Sequence, residues 1–400
     1  MKTVQPKGNS EGTGFYSKDF FQRNQLESLS RKPEVSDTLL KKIHVLLKTA
    51  PIIEGEPYES TRKKRRKRNM LLAQASTELA LVERPLGMPW ELMLEPTNGC
   101  NLKCPLCPTG NGTATRPMGK MTFAQYCSLI DELEDEIRRM IFWGFGEPLM
   151  HRDSARMIKY AADKKISVIT STNGTLLSNR RLAEGIVNSG LKTLYVALDG
   201  FTQETLSKYR VGANFEDILK GVRLVRSLRD TRGLGKPELV LQFVVTRENQ
   251  HELELIEKGY RDLGFDKWSI KHANIMATSE TENYDDLAEK FIPTDTNVSR
   301  FRRNDEGKLR VRGDIMNRCR LLFEQAMINW DGLVIPCCWD AQSEHQLGNA
   351  LESGFTPVWF GKLYQAYRRQ VFTDRKQIAI CRDCPTDRTE SKLSRQFTRL

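Results

Sequence analysis

No apolar run in this chain approaches the roughly 20 residues that a membrane-spanning helix needs. The opening stretch, Met1 to Gly14, is polar and has no apolar core of the kind a secretory leader carries. Neither a membrane protein nor an exported one is expected, and the expected location is the cytoplasm. Thiols stay reduced there, so the nine cysteines are better suited to binding metal than to forming disulfides. Acidic side chains are in deficit, 51 against 62 Lys and Arg. Met1 to Met88 holds 17 Lys or Arg against 10 Asp or Glu, which accounts for seven of the eleven net positive charges. Much of that excess is one run, Arg62-Lys-Lys-Arg-Arg-Lys-Arg68. Such a run could touch nucleic acid, an acidic peptide or an anionic membrane, but no aromatic residue interrupts it to stack on bases. A solvated linker or helix face is expected there, and a nucleic-acid partner is not.

What is present is a globular composition with length enough for two or three domains. All the cysteines but Cys127 fall into two groups. The first, Cys100-Asn-Leu-Lys-Cys104-Pro-Leu-Cys107, directly follows the mostly apolar Trp90-Glu-Leu-Met-Leu-Glu95. A closed structural zinc site takes four ligands. Three thiolates instead leave a position open, as in a 4Fe-4S cluster with one iron free for an exogenous ligand. A zinc knuckle or a simple electron carrier is the plainer alternative.

At these residues the chain resembles the radical S-adenosylmethionine (radical SAM) enzymes, whose motif is C-x3-C-x-Φ-C with an apolar or aromatic Φ, here Leu106. The resemblance implies a 4Fe-4S cluster on Cys100, Cys104 and Cys107, with SAM chelated by its free iron. It also implies a reductant such as flavodoxin or ferredoxin, and reductive cleavage of SAM to methionine and a 5′-deoxyadenosyl radical. The cofactors would carry the hard chemistry and the protein would position them.

From Trp90 to about His272, strand and helix patterns alternate. Strands are expected near Glu91–Glu95, Arg139–Trp143, Ser167–Ser171, Thr193–Leu198, Glu238–Thr246 and Lys267–His272. Helices are expected near Thr122–Arg138, Arg152–Lys164, Asn179–Ser189, Phe215–Arg229 and Gln250–Leu263. This α/β order argues for a parallel sheet with right-handed crossovers. The family resemblance makes it a partial (β/α)6 TIM-like barrel, with the active site at the C-terminal strand ends. Residues 1–88 are expected as a basic, partly helical extension, with a helix after a Ser36 or Asp37 cap. Residues 89–275 would be the barrel, 276–318 a polar linker or insertion, and 319–400 a small C-terminal cluster domain.

The strand ends carry the remaining candidates. Trp143-Gly-Phe-Gly-Glu-Pro-Leu149 resembles the family's G-G-E-P motif at Gly146-Glu147-Pro148, with Phe145 in place of a glycine. By that resemblance Glu147 and nearby carbonyls hold the SAM amine. Thr170-Ser-Thr-Asn173-Gly174 offers Ser171 and Asn173 for the SAM ribose or carboxylate. Ala197-Leu-Asp199-Gly200 leaves Asp199 as the ribose-side candidate, with an Asx turn as the alternative. Arg210 resembles a position facing the SAM carboxylate, with a surface ion pair as its alternative. Gln242, Lys271 and His272 are substrate-contact candidates whose side-chain parity the sequence does not fix. His272 and His151 also read as structural.

The second cysteine group, Cys319-x12-Gly332-x4-Cys337 and later Cys381-x2-Cys384, resembles the SPASM and twitch extensions of radical SAM enzymes. No cysteine follows Pro385, so one auxiliary 4Fe-4S cluster is implied, on Cys319, Cys337, Cys381 and Cys384. Four thiolates also suit structural zinc. Cys338 is a spare thiol that could exchange with Cys337, lie buried and inert, or give a hydrogen atom to a substrate radical. Asp340 is a speculative base, and Cys127 is expected in the core.

These features imply a radical SAM enzyme that takes hydrogen from a substrate carbon, with net oxidation such as dehydrogenation aided by the auxiliary cluster. The alternatives are a redox-neutral epimerase using Cys338, a peptide-modifying maturase, and, in a different class, an RNA-associated iron–sulfur protein. Nothing before the barrel reads as a winged-helix peptide-binding module, which tilts the expected substrate from peptide to small molecule.

Overall fold

The computed structural model describes Lys41, residues 58–276 and residues 283–390. The helix expected after Ser36 lies, Lys41 apart, outside them. The elements used below are α1 (Tyr58–Glu78), β1 (Glu91–Leu94), α2 (Phe123–Leu133), β2 (Arg139–Ile141), α3 (Ser154–Asp163), β3 (Ser167–Thr172) and α4 (Arg180–Val187). They continue with β4 (Thr193–Ala197), α5 (Gln203–Tyr209), α6 (Phe215–Thr231), β5 (Glu238–Val245), α7 (Leu253–Gly259), β6 (Lys267–His272) and α8 (Tyr284–Phe291). The chain ends with β7 (Phe301–Arg303), β8 (Leu309–Val311), β9 (Gln325–Ile328), β10 (Leu333–Ile335), β11 (Gly348–Asn349) and α9 (Lys362–Asp374).

Strands β1 to β6 pair in parallel in sequence order, as an α/β partial barrel requires. The C-terminal segment continues the same sheet. β9 runs parallel to β1, and β10 and β11 fold back antiparallel beyond it. The sheet therefore has nine strands; the first cysteine loop follows the C-terminal end of β1, whereas Cys319 precedes β9 and Cys337 follows the antiparallel β10.

Side-chain alternation tells the two faces apart. Val168, Thr170 and Thr172 on β3 are buried, whereas Ser167, Ile169 and Ser171 are only half-buried. The Ser171 hydroxyl donates to the Gln242 amide oxygen at 3.2 Å across the intervening β4. Ser171 and Gln242 thus share the inner face, a lumen that is not closed by packing. The parallel register Gln242 with Ser269 and Val244 with Lys271 turns Lys271 inward as well. His272 turns outward, where its Nδ1 meets the Val298 carbonyl at 2.6 Å.

Helix starts follow the local chemistry. Thr122 and Gln125 form a reciprocal capping box at α2, of a kind that contributes about 1 kcal/mol. Asn179, Thr202 and Asn214 cap α4, α5 and α6 in the same sense. Two helices are shorter than their sequence patterns. α2 ends at Leu133 because Glu134 to Arg138 turn into β2, where the Arg138 amide reaches the Trp90 carbonyl at 2.9 Å. The pattern from Gln250 begins as a 3-10 turn and becomes α7 only at Leu253. The Asn249 side chain holds that entry by donating to the Asp199 and Val244 carbonyls and accepting from the Thr246 amide.

Residues 283–318 contain more order than their polarity suggests. On α8, Tyr284, Ala288 and Phe291 are buried with Leu106, Tyr209 and Ile275, and β7 and β8 form a hairpin. The basic run lies on α1, and part of it docks rather than facing solvent. Arg62 pairs with Glu134 at 2.5 Å and with Asp135 at 3.1 Å. Buried Arg66 donates to the carbonyls of Glu134, Lys164 and Lys165, at the end of the barrel where strands begin. Replacing it strands three carbonyls. Arg66→Met is therefore expected to destabilise the protein by about 2 kcal/mol in urea denaturation, whereas exposed Lys63→Ala stays within about 0.5 kcal/mol. Equal midpoints for the two variants would contradict this docking role.

Candidate active site

β1 delivers the chain into the first cysteine loop, and that loop is pinned before it reaches Cys100. The Thr97 hydroxyl donates to the Gly119 carbonyl at 2.7 Å, and the Asn98 side chain bridges the Pro117 carbonyl and the Gly119 amide. The Lys103 amide donates to the Val211 carbonyl at 3.0 Å. Leu106, between the second and third thiols, is anchored in the apolar cluster around α8. Gly110 packs so closely that a Cβ there would lie 2.5 Å from the Cys104 amide nitrogen. At Gly146 a Cβ would lie 2.3 Å from the Thr97 carbonyl. The Gly146-Glu147 turn and the cysteine loop can meet only through bare backbone.

Two polar side chains face the thiols. The Asn173 amide points at the Cys100 sulfur at 4.0 Å and donates to Asn101 at 2.8 Å. The Arg210 guanidinium, at the C-terminus of α5, donates to the Cys104 sulfur at 3.8 Å. Its Nε pairs with Asp199 at 2.5 Å, and the other Asp199 oxygen accepts the Val244 amide at 2.6 Å. Asp199 and Arg210 are thus brought together, in a buried pair rather than a surface one. Burial pushes the Cys100 thiol up to about 11 and raises Cys104 too, but Arg210 pulls Cys104 back down. Three soft sulfur donors in one loop, one of them beside a fixed cation, suit an iron–sulfur cluster.

Glu147 is buried, and its carboxylate accepts from the Leu149 amide at 3.0 Å, the Thr172 hydroxyl at 2.8 Å and the Asn173 amide at 2.7 Å. Burial raises its pKa, and these donors act against that rise.

The second cysteine group converges as well. The Cys337 thiol lies among Cys338, Cys384, Cys319 and Cys381, and burial beside these sulfurs pushes it well up. Burial likewise carries Cys319 up to about 12, opposed by Arg375. Cys338 lies beside the same group, near Cys384 and also near Lys271, and packs against the apolar cluster of Met93, Met327 and Ile335. Asp340 is almost fully buried, and its two oxygens accept the Glu344 and His345 amides at 2.9 Å each. It anchors a turn, which removes the basis for a free catalytic base there. Cys127 is half-buried on α2 rather than in the core interior. His151 is held by the Met121 carbonyl and the Asp153 amide. Among the described residues no group of three His, Cys, Asp or Glu side chains is arranged to hold a single metal ion.

The comparisons with known proteins agree with this division. The model of the radical SAM superfamily matches residues 94–257, and that of SPASM, an iron–sulfur cluster-binding domain, matches residues 319–385. The chain belongs to the radical SAM superfamily. Its cofactors are a 4Fe-4S cluster, SAM and an auxiliary iron–sulfur centre. This radical SAM chain is 24% identical over 318 residues to the tungsten-containing aldehyde ferredoxin oxidoreductase cofactor-modifying protein of Pyrococcus furiosus, a match covering 73% of this chain and 86% of the relative. It is 25% identical over 325 residues to an AdoMet-dependent heme synthase of Oleidesulfovibrio alaskensis, covering 74% and 79%. The crystal structure of Streptococcus suis SuiB bound to precursor peptide SuiA shares the fold, with a TM-score of 0.55 at 17% identity, covering 92% of this chain and 81% of that one.

One ion pair at the mouth of this radical SAM barrel has no signature in the sequence pattern. Arg116 meets buried Glu95 through two bonds of 3.0 and 2.9 Å, lies over the Phe145 ring, and donates to the Ala341 carbonyl at 2.9 Å. Glu95 also accepts the Phe145 amide at 2.9 Å. The pair ties the ends of β1 and β2 to the SPASM segment, and only the tertiary fold brings its members together. For the first cluster the clearest test is Arg210. After anaerobic reconstitution of Arg210→Met, iron per chain is expected to fall by about half, because a group bonded to a ligand sulfur typically governs about 10- to 100-fold in affinity. Wild-type iron content would contradict that role.

Proposed function

We propose that this radical SAM enzyme removes hydrogen from an unactivated carbon of a small molecule, with net oxidation of the substrate. The observation that carries the reading is the lumen between the two thiol groups. Cys100, Cys104 and Cys107 lie at its mouth, while the segment that carries the second group places Cys338 on its inner wall. When bound, the first cluster with SAM supplies a 5′-deoxyadenosyl radical that takes one hydrogen atom, and the auxiliary cluster supplies an acceptor for the substrate's remaining electron.

The chain's own groups have separable tasks in this reading. Arg210, fixed by Asp199, opposes the rise that burial imposes on Cys104 and so favours its ligating thiolate. Gly146 lets the Glu147 turn approach the cysteine loop, where Glu147 and Asn173 would receive the SAM amine and carboxylate. Ser171 and Gln242 add polar contacts on the inner wall. Cys319, Cys337, Cys381 and Cys384 would hold the auxiliary cluster, with residues 89–275 as the barrel and 319–400 as the cluster domain. A cleft of about 340 Å³ opens between Leu106, Leu287, Trp339, Gln342 and Asp383. Ser171, Gln242 and Cys338 are not among the residues that line it, and SuiB carries a peptide in its crystal structure.

Redox-neutral epimerisation is the second reading, favoured by the lumen-facing position of Cys338, from which a thiol hydrogen could return to the substrate. Iron analysis separates the ligand from the spare thiol. About eight irons per chain are expected for the wild type and for Cys338→Ala, and about four for Cys337→Ala. Reversed results for the two variants would exchange their roles. Dithionite-driven formation of 5′-deoxyadenosine is expected from the reconstituted wild type, and its absence would remove both radical readings.

A further inference from the structure

The second cysteine group is surrounded by hydrogen-bond donors that the reading above leaves without a task. Tyr367 is buried on α9, and its hydroxyl meets the Cys381 sulfur at 3.8 Å. The His345 ring lies 5.2 Å from the Tyr367 ring, and the His345 amide is held by Asp340. The Thr386 amide donates to the Cys384 sulfur at 3.4 Å. Arg375, which follows α9, is buried as well. Its Nη1 donates to the Arg318 carbonyl at 2.8 Å and to the Thr386 carbonyl at 3.1 Å, which seats the guanidinium between the residue before Cys319 and the turn after Cys384. The guanidinium also hydrogen-bonds the Cys381 sulfur, whereas its Nε is buried with no acceptor in the protein. Among the described residues no carboxylate lies at ion-pair distance from Arg375. Asp387, which lies near Cys319, pairs with Arg318 at 3.5 Å. A buried cation in this position needs another counter-charge. A 4Fe-4S cluster on four thiolates is anionic, and its sulfurs accept hydrogen bonds, so it fits both the charge and the unmatched donor. The first group differs, because its cation, Arg210, is neutralised by Asp199 at 2.5 Å.

We propose that Tyr367 and Arg375 set the reduction potential of the auxiliary cluster, holding it above that of the first cluster so that it can take the substrate's electron. Reduction adds a negative charge to a cluster, and donors to its sulfurs stabilise that charge, so they raise the potential. Both residues act through a ligand sulfur and are positioning residues. This deepens the oxidative reading and rests on it for the direction of electron flow. Once a hydrogen atom has been taken, the substrate radical gives one electron to the oxidised cluster and one proton to water, and a one-electron carrier protein then removes the electron.

Redox-poised electron paramagnetic resonance on the reconstituted full-length protein measures both midpoints, the signal that changes on adding SAM being that of the first cluster. In the wild type the SAM-insensitive cluster is expected at the higher midpoint. Tyr367→Phe is expected to keep about eight irons per chain. It should lower the auxiliary midpoint by the equivalent of about tenfold in the oxidised-to-reduced ratio, about 59 mV for one electron. Arg375→Met is expected to lower it further, and Arg375→Lys to restore part of that loss, with the first cluster's midpoint unchanged in all three. An unchanged auxiliary midpoint in Tyr367→Phe would overturn the proposal, whether or not Arg375→Met still holds its auxiliary irons. Equal shifts of both clusters would overturn it too, by giving these residues a merely structural role, as would a wild-type auxiliary midpoint below that of the first cluster. Formation of 5′-deoxyadenosine is read separately. If it occurs while the variants leave the midpoint unmoved, only the tuning falls; if the midpoint moves as expected without it, the radical reading falls and the tuning stands.

Discussion

Arg210 is enclosed by protein, directs its charge at the Cys104 sulfur, and is kept in place by Asp199, whose second oxygen is occupied by the Val244 amide. A cluster ligand must be a thiolate, and burial opposes that charge. A fixed cation offsets the opposition, and a fixed carboxylate keeps the cation from turning away. Since Asp199 follows β4 and Val244 belongs to β5, the pairing of two barrel strands sets the position of a loop that follows β1. The same strand region also holds Asn249, whose side chain closes onto the Asp199 carbonyl. Cluster loading and barrel register are therefore linked through one ion pair.

The opposite wall is built by different means. β9 lies against β1, so the sheet continues without a break into the SPASM segment. Arg116 reinforces that join by connecting Glu95 to the Ala341 carbonyl. The Thr115 amide and hydroxyl both donate to Gln342, and Gln342 donates back to the Thr113 carbonyl. The second cysteine group is thus tied to the barrel mouth by sheet, ion pair and loop contacts. Radical chemistry needs this kind of fixed geometry around an enclosed space, because an unpaired electron reacts with whatever group is nearest.

Much of the barrel was legible in the sequence. The alternation of strand and helix periods located six strands within a few residues, and the two cysteine groups stood out by spacing alone. Parity was not legible: Lys271 and His272 are neighbours on one strand, and only pairing with β5 shows which faces the lumen. Order in residues 283–318 was hidden because α8 buries just three side chains, against Leu106 and Tyr209 from distant parts of the chain. Arg116 and Glu95 carry no local pattern, and Asp340 looks available until the amides of its own turn are counted. The basic run on α1 read as a solvated face, yet Arg62 and Arg66 find partners in loops that precede β2 and β3. In each case the missing information was tertiary: a charge or an apolar face acquires its meaning from a partner far away in sequence.

The central claim is that one lumen separates an open three-cysteine cluster from a closed four-cysteine one. An anomalous difference map at the iron edge, from anaerobic crystals of the reconstituted protein, tests it directly. Two cluster-sized peaks are expected, one on Cys100, Cys104 and Cys107 with an unprotected iron towards the lumen, and one enclosed by Cys319, Cys337, Cys381 and Cys384. A single peak, or a second peak ligated by Cys338 in place of Cys337, would contradict the account.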